Sequence, residues 1–315
     1  MKSIIAFIKL VRWPNLVFVA LTQILFHYCI VWPVFKASNA VPLIHGQTFW
    51  FVTVAYILIA AAGYVINDYF DLNIDQVNKP DKVIVARVIS RRWVILWHIL
   101  LSAVAVGMCV WVDVVSQLRI VSVGALMMVA LLFLYSTSLK KRFLIGNVLI
   151  AAIIAWGILM FTLYEFIGLH KAGFYPNSLI NHRLLRYTYL YAGFAFIITI
   201  IREVVKDMED MEGDRRYGCK TMPIVWGLTA SKVFVAVWLI VLLATLLLVQ
   251  IYVMQYGWWW SIAYAIVALI VPIIWVFKQL FPAHLPIHFK VISKAIKWIM
   301  LAGIASMLFF KWFLD

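Results

Sequence analysis

Acid is what this chain has least of. Its 315 residues include only 13 Asp and Glu against 27 Lys and Arg, and just 13% of all residues are charged. A soluble domain carries about 25% charged and about 45–50% apolar residues. Here 66% are hydrophobic by a wide count, more than a water-soluble globule of this length can hide. That excludes a soluble enzyme as well as a disordered or fibrous chain. Cysteine is sparse too. Cys29, Cys109 and Cys219 have no metal-ligand or redox spacing, so free thiols without disulfides are expected. Zinc-like Cys/His spacing, a glycine-rich phosphate loop and basic stretches interleaved with aromatics are missing. The net charge of +14 therefore predicts no nucleic-acid partner. Linkers and low-complexity segments are missing as well, which predicts one membrane domain over residues 1–315. The first apolar run lacks a small-residue cleavage pattern after it and is read as a retained span.

What is present is a series of long apolar runs. A bilayer core of about 30 Å needs about 20 apolar residues in a helix. Nine runs qualify, near residues 14–34, 49–67, 93–112, 118–136, 144–166, 186–202, 232–253, 258–277 and 293–312. The sixth is short and mixed. Strict alternation is missing, so helices rather than a closed barrel must satisfy the backbone in lipid. With the N-terminus in the cytosol, 21 of the 27 basic residues fall on the cytosolic side; the other six are Lys36, Arg119, Lys171, Arg183, Arg186 and Lys311. This asymmetry predicts an all-α polytopic membrane protein with nine transmembrane helices and a cytosolic N-terminus. Trp258, Trp259 and Trp260 sit where an interfacial aromatic belt is expected.

The scarce acids are not scattered. Four lie in 68–81 and six in 203–214, both on the side where bases otherwise dominate. At about 100° per residue, Asn67, Asp68, Asp71 and Asp75 share one helix face, and so do Glu203, Asp207, Asp210 and Asp214. Gly213 is expected to end the second helix. Like charges at i, i+3 and i+4 destabilise a helix, and a divalent cation compensates them. Oxygen ligands without nearby His or Cys favour Mg²⁺, which binds through one or two carboxylates, retained waters and phosphate oxygens. Two solvated acidic helix ends are the plain alternative. With Lys and Arg interspersed, the pattern points to a diphosphate held by Mg²⁺. In a membrane setting this suggests an isoprenoid diphosphate whose allylic C–O bond ionises as the metal neutralises the leaving group. The two acidic segments, each after a span, also hint at an internal duplication.

At these residues the chain resembles the UbiA superfamily of intramembrane prenyltransferases. The N-D-x-x-D-x-x-x-D motif stands as Asn67, Asp68, Asp71 and Asp75, and D-x-x-x-D as Asp210 and Asp214, preceded by Asp207. Y-S-x-x-L-K followed by G-N stands as Tyr135, Ser136, Leu139, Lys140, Gly146 and Asn147. The G-x-K-T-x-P tail stands as Gly218, Lys220, Thr221 and Pro223. The resemblance covers about residues 65–225. It implies a ring of nine helices around a central cavity, open sideways to lipid, with the active site facing the cytosol of an integral multi-pass membrane protein (the inner membrane if the source is a bacterium). It also implies that Asn67 and Asp71 hold one Mg²⁺ with support from Asp68 and Asp75, and that Asp210 and Asp214 hold another with Asp207 close by. Lys140 and Lys220 would contact diphosphate, Asn147 would belong to the substrate site, and Tyr135 would face the allylic cation. Arg12 and Asn15 resemble the family's basic start to the first helix. For Tyr135 an interfacial anchor, for Lys140 one more cytosolic lysine, and for Arg12 an interfacial cap remain open.

Within the superfamily, both acidic segments resemble the geranylgeranylglycerol-phosphate geranylgeranyltransferases. Arg202 and Lys206, with Lys82, Arg87 and Arg215, offer cations for an acceptor that carries its own phosphate. The expected partners are a prenyl diphosphate donor, a lipid acceptor and membrane lipids. An aromatic acceptor on the way to a quinone is the alternative, and a Mg²⁺ transporter a distant one, since the span centres lack the polar residues of a pore. One feature departs from the family. Many members follow the first motif with R-P-[I/L]-P-S-G, where this chain has Lys82-Val83-Ile84-Val85-Ala86-Arg87. His284 and His288 lie four apart, but Pro282 and Pro286 predict a loop there.

Overall fold

A computed structural model describes residues 2–171 and 179–314; the side chains at 2–3, 82, 179–181 and 312–314 lie outside the described residues, as does all of Asp315. Among the described residues the regular elements are helices, with one isolated bridge between Val85 and Ile89. Eight helical stretches among the described residues are long and apolar enough to cross a membrane: Trp13–Lys36, Gly46–Phe70, Arg91–Ser116, Ile145–Lys171, His182–Glu209, Gly227–Met254, Trp259–Leu280 and Pro286–Lys311. The mixed sixth run is thus part of a full-length helix of 28 residues. The fourth run is a shorter helix, Val121–Thr137. At 1.5 Å per residue its 17 residues reach about 25 Å. Its start is set by Asp113, whose carboxylate accepts the Val121 and Ser122 N–H groups at 2.9 Å each, a remote cap for orphan helix donors.

Two spans contain proline and use the same device to keep it. In Trp13–Lys36, α2 (Trp13–Phe26) and α3 (Trp32–Lys36) are joined by a π-helical turn, His27–Val31, just before Pro33. In Trp259–Leu280, α13 (Trp259–Ala265) and α14 (Val271–Leu280) are joined by another, Ile266–Ile270, just before Pro272. The N–H groups of Trp32 and Val271 bond to the carbonyls five residues back, of His27 and Ile266. The widened turn gives room to the carbonyl that a proline ring would strike in a regular helix.

The chain forms two compact units. The first comprises Met1–Leu139, Trp156–Tyr189 and Leu314–Asp315. Its centre is α4 (Gly46–Phe70), packed against α2, α6 (Arg91–Ser116) and α7 (Val121–Thr137). A buried cluster of Leu10, Val11, Ala61, Val65, Val85 and Val94 joins the short α1 (Lys2–Leu10) to α4, α6 and the loop between them. Elsewhere in this unit the buried Glu165 of α8 (Ile145–Lys171) accepts the N–H groups of Leu43 and Ile44 at 2.7 and 2.9 Å. The second unit comprises Lys140–Ala155 and Leu190–Phe313. Its core is built from α9 (Leu179–Glu209), α12 (Gly227–Met254), α14 and α15 (Pro286–Ala305), around Val204, Val205, Met208, Leu239, Ile273, Val276, Phe289 and Ile296. The helices α8 and α9 each contribute one part to each unit. All three cysteines are buried and form no disulfide.

Candidate active site

The first acidic segment lies where α4 ends. Asp71 is a single bent residue between α4 and the short α5 (Leu72–Asn78). Helical hydrogen bonding nevertheless continues through the bend, from the Asp71 N–H to the Asn67 carbonyl at 2.9 Å and from the Asp75 N–H to the Asp71 carbonyl at 2.8 Å. Asn67, Asp68, Asp71 and Asp75 thereby keep helical spacing, and all four are half-buried. The Asn67 amide donates to the Asp71 carboxylate at 2.6 Å, which leaves the Asn67 carbonyl oxygen as the side chain's acceptor.

Arg12 reaches this segment from 56 residues upstream and pairs with Asp68 at 2.6 Å. It also lies over the Tyr64 ring at 5.2 Å, one helical turn before Asp68. Burial opposes the Arg12 charge, but Asp68, Tyr64 and Asp75 outweigh it and hold the guanidinium above its ordinary value. Arg12 caps α2 in the left-handed region, with φ of 53°, a conformation uncommon for a large side chain. Burial, and then the charges of Asp71 and Asp68, push the Asp75 carboxyl up to about 6. Tyr64 and Arg91, whose guanidinium lies 4.5 Å over the Tyr69 ring, do not stand out in the sequence. Their one signal is an aromatic residue next to or one turn before Asp68.

The loop that departs from the family pattern holds itself together with apolar residues. Val85 is buried, and Ile84 and Ile89 pack on the same cluster. Ala86 takes a positive φ of 64°, and its N–H bonds to the Ile89 carbonyl at 2.8 Å. Arg87 donates to the Pro80 carbonyl at 2.7 Å. A buried valine and a tight turn thus do the work that prolines would do by stiffening the backbone. Tyr135 is half-buried near the end of α7, beside the buried Ser136.

In the second unit α9 ends at Glu209, Asp210 is the bent residue, and α10 (Met211–Arg216) follows. Bonds from the Asp210 N–H to the Lys206 carbonyl at 3.0 Å and from the Asp214 N–H to the Asp210 carbonyl at 3.2 Å carry the spacing through. Gly213 does not end this helix; it is buried within it. Gly218 ends it, at φ 69°. The Gly218 N–H bonds to the Arg215 carbonyl at 3.3 Å and the Cys219 N–H to the Asp214 carbonyl at 2.9 Å. This paired closure needs a left-handed residue, and glycine adopts it without strain.

That closure carries Lys220 to a second sequence motif. The Lys220 N–H bonds to the Lys141 carbonyl at 2.8 Å, so Lys140 and Lys220 stand at neighbouring backbone positions. The buried Asn147 donates to the Asp207 carboxylate at 2.8 Å. Arg202 pairs with the adjacent Glu203 at 2.5 Å, while its Nε is buried and without a hydrogen-bond partner. His288 belongs to the first turn of α15 rather than to a loop: the N–H groups of His284 and Leu285 reach its Nδ1 at 3.3 and 3.5 Å. The site residues thus gather in two sets. Arg12, Asn67, Asp68, Asp71, Asp75 and Tyr135 stand in the first unit. Lys140, Asn147, Arg202, Lys206, Asp207, Asp210, Asp214 and Lys220 stand in the second.

Each set suits Mg²⁺ in kind. The donors are carboxylate and amide oxygens, and burial together with the like charges of Asp71 and Asp68 hinders the ionisation of Asp75, which a cation would relieve. Among the described residues, no three or more His, Cys, Asp or Glu side chains are drawn together into a complete metal cage. Mg²⁺ does not need one, because it keeps waters and takes phosphate oxygens into its shell.

The profile of the UbiA prenyltransferase family matches residues 24–290. The digeranylgeranylglyceryl phosphate synthase of Methanothermobacter thermautotrophicus is 33% identical over 202 residues, which cover 63% of this chain and 64% of that protein. The match therefore spans less than two thirds of the relative's length. Among solved structures, one of digeranylgeranylglyceryl phosphate synthase in membranes aligns with a TM-score of 0.58 at 20% identity, over 98% of this chain and 99% of that one. A UbiA homologue from Archaeoglobus fulgidus bound to DMAPP and Mg²⁺ aligns with a TM-score of 0.53 at 14% identity, over 96% and 98%. These two likenesses show a shared polytopic helical fold.

Proposed function

The chain belongs to the UbiA prenyltransferase family, and from that premise we propose that it transfers a prenyl group, geranylgeranyl, from its diphosphate to prenylglycerol phosphate, with Mg²⁺ as cofactor. The observation that carries this reading is the first acidic segment. An intact N-D-x-x-D-x-x-x-D run keeps its helical spacing through the bend at Asp71 and is braced by the Arg12–Asp68 pair. The names of its relatives support the acceptor, and the homologue bound to DMAPP and Mg²⁺ supports the donor class and metal.

In this reading Asn67 and Asp71 hold one Mg²⁺, with Asp68 and Asp75 in support. Asp210 and Asp214 hold another beside Asp207. When bound, the metal supplies positive charge against the charge that grows on the leaving diphosphate. Beside the second segment Lys140 and Lys220 bind diphosphate oxygens, and beside the first Arg12 is a further substrate-binding cation. The allylic C–O bond breaks, the ring face of Tyr135 stabilises the carbocation, and the acceptor hydroxyl oxygen bonds to that carbon as its proton passes to an oxygen of the released diphosphate. An alcohol is a poor nucleophile, so bond breaking runs ahead of attack. The acceptor phosphate is met by Lys206 and by Arg202, whose buried Nε has no other partner. Further support comes from the acidic segments lying on the side richest in Lys and Arg. We place that side in the cytosol, with the N-terminus, and count α7 as a ninth span within a single prenyltransferase domain.

The test is mass spectrometry of products from purified protein in nanodiscs, given a panel of prenyl diphosphates with prenylglycerol phosphate or hydroxybenzoate. A diprenylglycerol phosphate that forms with Mg²⁺, vanishes with EDTA and returns on Mg²⁺ addition is expected. Full activity in EDTA would remove the metal, and efficient prenylation of the aromatic acid alone would remove the acceptor. A reporter placed near Arg142 should read cytosolic.

A further inference from the structure

The first helix, α1, presents two faces with different neighbours. Ala6 and Leu10 are buried, and Phe7 packs on Trp97 with ring centroids 4.7 Å apart. Ile4, Ile5 and Ile8 are 65%, 50% and 42% exposed, and at 3.6 residues per turn they share an arc of about 100°. Lys9, also exposed, lies at the edge of that arc. The protein-facing side belongs to the cluster that contains Val65 and Val85, behind the first acidic segment. Next along the chain comes Arg12, in its left-handed conformation, and then Trp13, 55% exposed at the start of a membrane span.

We propose that α1 is an in-plane membrane anchor: the Ile4/Ile5/Ile8 face seats in the lipid–water interface of the leaflet that α2 enters, while the opposite face backs the first acidic segment. Three features commit the occupant to lipid. First, two residues separate α1 from a membrane-spanning helix, so α1 cannot stand far from the bilayer surface. Second, a basic residue at the edge of an apolar stripe and an exposed tryptophan at the junction suit the interface, where anionic head groups meet acyl chains. Third, α1 and its junction contain no acid that would oppose an anionic surface. The left-handed turn at Arg12 ends α1 before α2 begins. A continuous helix would instead drive the isoleucines along the axis of the span. The same turn delivers Arg12 to Asp68. The inference does not depend on the reaction proposed above.

The test uses the full chain in phosphatidylcholine/phosphatidylglycerol nanodiscs. An environment-sensitive nitrobenzoxadiazole label is placed at Ile5→Cys and, separately, at Ile8→Cys. The native cysteines are buried and Asn73→Cys, on the exposed polar side of α5, serves as the aqueous reference. Quenching by lipids with a doxyl group at a shallow acyl carbon should be about threefold or more stronger at 5 and 8 than at 73, and quenching by iodide weaker by a similar factor. Both substituted sites are on the surface, so folding is retained and is checked by monodisperse elution. Iodide quenching at 5 and 8 equal to that at 73 would overturn the proposal. So would shielding from both quenchers, which would mean a protein cover such as a second copy.

Discussion

The two acidic segments repeat one another more closely than their surroundings do. Asn67-Asp68-x-x-Asp71-x-x-x-Asp75 and Lys206-Asp207-x-x-Asp210-x-x-x-Asp214 share the spacing of three aspartates. In each, the middle one is the bent residue between a long helix and a short one. In each, the aspartate one turn earlier has a braced carboxylate. The braces differ. Asp68 is held by a guanidinium from the start of α2, whereas Asp207 is held by the neutral Asn147 amide. The leading positions differ too, neutral Asn67 against cationic Lys206. The shared part is what a metal would need: two carboxylates a helical turn apart, with helical spacing kept through the bent residue. The private parts are what substrates would distinguish. A charged brace offsets one carboxylate and leaves the first segment less anionic, whereas a lysine at the head of the second suits an anionic acceptor.

The severest way to break this comparison is to remove the bent residues. Asp71→Ala and Asp210→Ala should each lower product formation by more than about a hundredfold, with the protein still extracted as a monodisperse species. If only one of them matters, the segments are not equivalent metal sites. Next come the braces. Arg12→Ala should raise the Mg²⁺ and donor concentrations for half-maximal rate by about 10–100-fold, and Asn147→Ala by only about tenfold, since a charged partner contributes more than a neutral one. Equal effects would mean that the charge on the brace is irrelevant. Smaller again is Lys206→Asn, which gives the second segment the pattern of the first. The acceptor KM should rise by about five- to tenfold with the donor KM little changed. A change in the donor KM alone would reassign Lys206 to diphosphate.

Much of this was readable in the sequence because the signals were strong against their background. Ten of 13 acids in two short segments cannot be missed in a chain so poor in acid. Runs of about 20 apolar residues leave little choice but helices in a membrane. What escaped depends on contacts distant along the chain, or on local breaks that helical periodicity ignores. Arg12 meets Asp68 across 56 residues, and Glu165 holds Leu43 and Ile44 across more than 120. Gly213 looks like a helix terminator, yet burial retains it and the closure falls to Gly218. Pro33 and Pro272 are obvious in the sequence; the π-helical turns that accommodate them are not. In the loop after the first segment, the loss of the family's prolines is visible, but the compensation by buried Val85 is a tertiary fact.

The smallest expected effect is a pH dependence at the first segment. Burial and the neighbouring charges of Asp71 and Asp68 push the Asp75 carboxyl up to about 6 in the metal-free protein. The direction of the consequence follows from which form is favoured. Between the ordinary carboxylate range and about 6, the folded chain holds a proton that the unfolded chain has lost. Asp75 therefore costs the metal-free fold stability as pH rises above that range, and the cost is complete once pH passes the folded value. A cation at the first segment needs the ionised carboxylate, so proton and Mg²⁺ compete. Apparent Mg²⁺ affinity should be flat from pH 8 to 7 and fall by about fourfold by pH 5.5, as expected for one proton displaced from a group near 6. Isothermal titration with Mg²⁺ in buffers of different ionisation enthalpy would measure both the affinity and the released proton. Asp75→Asn should weaken binding slightly at pH 7 and remove the dependence between 7 and 5.5, whereas Asp210→Asn should leave it in place. Persistence of the full pH dependence in Asp75→Asn would assign the proton to another group.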